Sequence, residues 1–185
     1  SGFLTFFIAL YFFIPSVDGN VIVLINGVFS PAHSSISISS EEVKISTLGE
    51  ALADPDNTAV QHFGKYTDYK TDPFIAWNTA SWKHGVFIHV PANTVVKKPI
   101  IIYNIHDARG GQVITVCRNL FVVGNGSEVT VVEKFDSLGT SNHFSNIVTE
   151  AVVGEHAALE LYSIQNDTGN RYQHGTTHIH QSHTS

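Results

Sequence analysis

The sequence predicts a mainly β fold with a small α/β region at its N-terminal side, and three observations predict it. From Gly85 onward the chain is a succession of short β-branched segments: Val86–Val90, Ile100–Tyr103, Val113–Val116, Leu120–Val123, Val129–Val132, Ile147–Val153 and Leu159–Ile164. Turn residues separate them, among them Gly110-Gly111, Asn125-Gly126 and Gly154, and no stretch between them suits a helix of ordinary length. Before Gly85, by contrast, helix-capping signals recur. The boundary divides the chain into an N-terminal α/β region, 1–84, and a β region, 85–185.

The elements follow in order. Phe3 to Ile14 is apolar except for Thr5. That run is shorter than the roughly 18–20 residues needed to span a bilayer. It lacks the basic start and Ala-x-Ala site of a signal peptide, so it reads as a buried helix. Asp18-Gly19-Asn20 is a turn signal, Val21–Ile25 a strand, and Asn26-Gly27 a hairpin turn that returns the chain through Val28-Phe29-Ser30-Pro31. Thr47-Leu48-Gly49-Glu50 fits a capping box, in which the Thr hydroxyl and Glu carboxylate satisfy free N–H groups reciprocally. Its helix should run to about Ala53, before Asp54-Pro55. A second helix is expected over Thr58–Tyr66. A third begins at Asp72-Pro73, with Asp as N-cap and Pro in the first turn. Phe74, Trp77, Ser81 and Trp82 recur at helical spacing, and Gly85 stops it. The two Trp read as a helix face packed on a sheet rather than as a ligand platform.

Several strand segments lack clean alternation, as in Phe121-Val122-Val123 and Val129-Thr130-Val131-Val132. Continuous apolar runs suit strands that face a narrow, tightly packed interior. A sandwich, a jelly roll and a β-solenoid all satisfy the pattern.

Composition narrows the function classes. In 185 residues the hydrophobic fraction is 43% and the charged fraction 14%, which argues against disorder. A net charge of −6 argues against nucleic acid or an anionic membrane as main partner, because both need a basic field. A single cysteine, Cys117, excludes an intramolecular disulfide framework and fits a reducing compartment. The chain begins at Ser1 and contains no Met, so it is expected to be part of a longer one. No phosphate loop or dinucleotide fingerprint occurs, so any ATP hydrolysis would come from a partner.

The segment Asp72 to Pro99 carries a resemblance. It combines a helix with Asn78-x-Ala80, then Gly85-x-x-Ile88-x-Val90-Pro91, then a Pro-Ile strand at Pro99-Ile100. Further matches follow in order: Asn119 to Gly124, Val131-Val132-Glu133, Asn146-x-Val148-x-Glu150 and His174-x-Thr176-x-His178. Upstream, Ile25-Asn26-Gly27-x-Phe29-Ser30 and Leu48-Gly49-Glu50-Ala51-Leu52 fit the same pattern. The ordered set resembles the SufB/SufD family of iron–sulfur cluster assembly proteins, and its SufD type in particular. The resemblance implies a right-handed parallel β-helix with helical flanks. It implies a cytoplasmic, non-catalytic scaffold subunit that pairs with a SufB-like paralogue and a SufC-like ATPase. It implies no intrinsic cofactor, the iron–sulfur cluster being assembled transiently on the complex. It also places further coils beyond Ser185, so an uncovered last coil is expected to self-associate or to be covered by missing residues.

Local chemistry offers alternatives. His174, His178, His180 and His183 crowd the C-terminal stretch, and on a strand His178 and His180 share one face. Two such imidazoles are weak candidate metal ligands for a metal-binding β module, yet no Cys lies nearby and the strand pattern already accounts for His178. Cys117 precedes Arg118, whose guanidinium would activate a thiol. Strand neighbours point to opposite faces, however, and a lone Cys usually packs as a small hydrophobe. Glu133 and Glu150 would be the acid pair of a β-helix polysaccharide-active enzyme. Stacked polar positions along a solenoid are the plainer reading of both, and no residue is assigned a catalytic role.

Overall fold

The computed structural model describes residues 12–183. Two five-stranded sheets run in the orders β2-β1-β5-β7-β9 and β10-β8-β6-β4-β3. The strands are β1 (Asn20–Ile25), β2 (Val28–Phe29), β3 (Lys44–Thr47), β4 (Val86–Val90), β5 (Ile100–Asp107), β6 (Val113–Val123), β7 (Glu128–Leu138), β8 (His143–Val153), β9 (Ala158–Gln165) and β10 (Arg171–Gln181). From β4 onward the chain alternates between the sheets; β5 lies parallel to β1, and from β6 each strand lies parallel to the one two positions before it. That is a β-solenoid of about three turns. Antiparallel pairing occurs at the hairpin β1/β2, expected from Asn26-Gly27, and at β3/β4.

The coil repeats every thirty residues along its later turns, so that Asn119 lies beside Thr149 and Thr130 beside Glu160. The repeat is fixed at stacked turns. Asn93, Gly126 and His156 all take left-handed backbone, at φ +58°, +66° and +55°. Gly124 N donates to Val90 O and Gly154 N to Val123 O, both at 2.8–2.9 Å. A Cβ on Gly124 would meet Ala92 N at 2.6 Å, so the coils stack this closely only with glycine there.

Between the sheets, Ile22, Ile88, Ile102, Phe121, Val131 and Val153 belong to one buried aliphatic cluster. Inward positions alternate along every strand, which puts Leu120 and Val122 on the outer face of the second sheet. There they pack with Leu48, Ala51 and Ala59 of two short helices, α1 (Leu48–Ala53) and α2 (Thr58–His62). A third helix, α3 (Pro73–Ser81), lies over β6 and β8. On the outer face of the first sheet, Phe12 packs with Val23, Ile101 and Tyr103, and Phe13 stacks on Tyr103 at 4.6 Å. Most of the helix expected over Phe3–Ile14 lies outside the described residues.

The capping box is present: Glu50 N donates to Thr47 Oγ1 at 3.2 Å and Thr47 N to Glu50 Oε2 at 3.0 Å. Asp72 caps α3 as expected, accepting from Phe74 N and Ile75 N. Two expectations are corrected. The second helix stops at His62 instead of Tyr66, because the amides of Gly64, Tyr66 and Thr67 turn to donate to Glu150. The segments Val113–Val116 and Leu120–Val123 are one strand, β6, because Cys117, Arg118 and Asn119 between them stay in register with Ile147, Val148 and Thr149 of β8.

Candidate functional site

The solenoid interior has two halves. It is aliphatic along the N-terminal halves of β5 and β7 and the C-terminal ends of β6 and β8. Along the C-terminal halves of β5 and β7 and the N-terminal parts of β6 and β8 it is lined by polar side chains brought in by strand alternation. Asn104 and His106 enter from β5, Glu133 from β7, Thr115, Cys117 and Asn119 from β6, and His143, Ser145 and Thr149 from β8. All are buried.

Glu133 is 5% exposed and accepts from Asn119 Nδ2 at 3.1 Å. Burial pushes its carboxyl up to about 7, against the smaller lowering effect of that hydrogen bond. Burial, reinforced by the charge of Glu133, pushes the Cys117 thiol up to about 12. Glu133, Thr149, Phe135, Ile147 and Ser163 help line a cavity of about 390 Å³.

Above that layer the rings of His106 and His143 stack at 3.9 Å. His106 Nδ1 lies 3.6 Å from Asp167 Oδ1, and His143 Nε2 lies 3.1 Å from Thr115 Oγ1. Burial is the main force holding His143 down at about 4, and the neighbouring His106 and Arg171 charges add to it. Burial would raise the Asp167 carboxyl, but the adjacent His106, with His143, keeps it below its ordinary range. Asn104 Nδ2 and Ser145 Oγ are buried without hydrogen-bond partners. Sequence reasoning missed this group. Its signal was polar residues at every second position of otherwise apolar strands.

The other candidates separate. Glu150 is fully buried on the outer face of the second sheet, where it pairs with Arg118 at 2.8 Å. Glu133 faces inward, so the two carboxylates do not form an acid pair. Arg118 likewise faces away from Cys117 and lies over the Phe63 ring at 5.3 Å. His174 stacks on Phe74 at 4.0 Å, apart from His178 and His180, which flank Tyr66. His183 lies beyond the end of β10. Trp77 stacks on Phe144 of β8, while Trp82 lies tilted at 57° to Phe63 and packs against the cluster of Phe87, Leu120 and Val122. Among the described residues no group of three or more His, Cys, Asp or Glu could hold a metal ion, and no helix is long and apolar enough to cross a membrane.

Residues 12–102 match the SufBD protein N-terminal region, and residues 105–185 match the SufBD core domain of the SUF system for FeS cluster assembly. The chain belongs to the SufBD family. It is 27% identical over 178 residues to the iron-sulfur cluster assembly SufBD family protein slr0076 of Synechocystis, covering 92% of this chain and 39% of that protein. SufBD family proteins of Staphylococcus haemolyticus and Staphylococcus aureus are each 28% identical, over 136 and 124 residues; these cover 71% and 66% of this chain and 29% and 26% of the relatives. The chain therefore spans well under half the length of these curated relatives. The SufBD boundary between residues 102 and 105 falls within β5, so both family regions contribute to one continuous solenoid.

Proposed function

We propose that this SufBD chain acts in iron–sulfur cluster assembly as a non-catalytic scaffold of the SufD type. It pairs with a SufB-like paralogue and a SufC-like ATPase in the cytoplasm, and the cluster is substrate of the complex rather than a resident cofactor. The observation that carries the non-catalytic reading is the state of Cys117. The one thiol of the chain is 1% exposed and pushed up to about 12, so it is neither nucleophile nor thiolate ligand at neutral pH. The placement of Glu133 and Glu150 on opposite faces supports the same reading against glycoside chemistry, which needs two facing carboxylates. Further support is family membership across nearly the whole chain.

Co-expression of the full-length protein with the SufB-like and SufC-like proteins of its own source tests the proposal. A stable ternary complex is expected, with cluster formation and ATP hydrolysis unaffected by Cys117→Ser. ATP or polysaccharide hydrolysis by the isolated protein, abolished by Glu133→Gln or Glu150→Gln, would overturn it.

A further inference from the structure

The outer face of the second sheet gathers imidazoles that strand register alone brings together. His89 on β4, Val122, Val152 and His180 on β10 stand in one lateral row, and His178 belongs to the adjoining row with Glu150. Lys44 pairs with His89 across β3/β4. Over this face the chain after α2 lays Tyr66. Its ring is stacked 4.6 Å from His180, 6.5 Å from His178 and 6.0 Å from His62, with interplanar angles of 15–22°. Tyr66 Oη and His62 Nδ1 are 2.7 Å apart. His178 and His180 are exposed, and so are Lys44 and Lys65.

Near-parallel rings do not converge their nitrogens on one ion, which separates this cluster from a metal site. What they share is the capacity to hold positive charge. An imidazolium over a tyrosine face is favoured by the ring quadrupole. The surrounding charges add to the field. Burial first, then Lys65 and His180, hold the His62 ring below its ordinary range; burial, then Lys44 and His62, do the same for His89. His89 Nδ1 is also buried without a hydrogen-bond partner. The carboxylate that acts on Tyr66, Glu150, is already engaged with Arg118. A chain of net charge −6 thus carries one face of four imidazoles and two ammonium groups with no free carboxylate among the groups named.

We propose that this face, formed by His62, His89, His178 and His180 around Tyr66 and flanked by Lys44 and Lys65, docks an acidic segment of a partner protein and binds it more tightly as the imidazoles take up protons. An arriving carboxylate relieves the repulsion among the cationic groups, so binding and protonation favour each other. Each exposed pair contributes little, and the exposed His178, His180, Lys44 and Lys65 together correspond to roughly a ten-fold change in affinity. The surface lies outside the solenoid, so its test does not depend on the scaffold reading.

The experiment uses the full-length protein and a fluorescein-labelled peptide of alternating Asp and Glu, read by anisotropy at pH 6.0 and 8.0 in low and 0.5 M salt. A peptide with Asn and Gln at the same positions serves as control. Binding of the acidic peptide is expected at pH 6.0, about ten-fold weaker at pH 8.0 and lost in high salt, with no binding of the neutral peptide. The variant His62→Gln/His178→Gln/His180→Gln should lose the pH dependence, while His174→Gln, which alters the ring stacked on Phe74, should keep it. Circular dichroism confirms that each variant is folded. Four results would overturn the proposal: affinity equal at both pH values, an equal effect of His174→Gln, displacement of the peptide by equimolar inorganic phosphate, or self-association at pH 6.0 that excludes the peptide. The last two would make the face a small-anion site or a contact between copies.

Discussion

Replacing Arg118 with Ala should be among the most damaging substitutions in the chain, although it touches neither the aliphatic core nor a turn. The guanidinium is 1% exposed and donates to Glu150 Oε2 from Nε at 3.2 Å and from Nη2 at 2.8 Å. It also donates to Thr79 Oγ1 at 2.9 Å and Thr67 Oγ1 at 2.6 Å. Breaking a buried pair by removing one partner costs about 3–5 kcal/mol, because the other charge is left uncompensated. Glu150 would keep three backbone donors and the Thr67 hydroxyl, which places the cost near the lower end, about 3 kcal/mol. For a protein of this size each kcal/mol moves Tm by about 2–4 °C, so a fall of roughly 6–12 °C is expected. Glu150→Gln strands the arginine instead and should cost a similar amount. The double variant Arg118→Met/Glu150→Gln should cost clearly less than the sum, with a coupling of about 2 kcal/mol. Calorimetry on the four proteins closes the cycle. A fall under about 2 °C for Arg118→Ala, or additive effects, would show that solvent reaches the pair and that the argument from burial is wrong.

Cys117 should resist a thiol reagent at pH 8 in the folded protein and react on addition of denaturant; fast labelling of the native protein would contradict its burial. Gly85→Ala should prevent folding or lower Tm by more than 10 °C, since the Gly85 φ is +151° and an added Cβ would lie 1.7 Å from Arg118 O; normal expression and Tm would refute the close approach. Glu133→Gln should stabilise the protein above pH 7 and change little at pH 4. The Glu133 pKa is raised from 4.5 to about 7, so its contribution is favourable below pH 4.5 and is lost as pH rises through 7, by on the order of 3 kcal/mol. His143→Asn should protect against acid, because a ring held at about 4 contributes stability above pH 6.5 that is lost as pH falls toward 4. Chemical denaturation at a series of pH values reads both.

The division into helices before Gly85 and strands after it was legible because caps and β-branched runs are local signals. Thr47 and Glu50, Asp72 and Pro73, and Asn26-Gly27 do in the structure what their spacing predicts. Strand lengths were not legible. Cys117-Arg118-Asn119 reads as an interruption, and only the register that brings Glu150 beside Arg118 turns it into the middle of β6. The thirty-residue period was present in Val122-Val123-Gly124 and Val152-Val153-Gly154, but a glycine in a turn does not reveal that another turn lies against it. The pairing of His178 and His180 on one face followed from strand alternation. That Tyr66 stacks on them did not, since more than one hundred residues separate them and α2 ends early for reasons lodged in Glu150.

The two halves of the interior do different work. The aliphatic half around Ile88, Ile102, Phe121 and Val131 supplies burial that is indifferent to pH. Two of the ionisable groups in the polar half, Glu133 and His143, are pushed toward their neutral forms by burial, and their effects oppose each other. Between about pH 4.5 and 6.5 the unfolded chain takes up a proton at His143 that the folded chain refuses, while the folded chain keeps a proton at Glu133 that the unfolded chain releases. Proton uptake at these two sites is then nearly equal in the two states, and together they add almost no slope of stability with pH there. Either substitution alone exposes a slope, of opposite sign for Glu133→Gln and His143→Asn. The buried acid and the buried base of this interior therefore offset each other across the mildly acidic range, where either group alone would add a pH dependence.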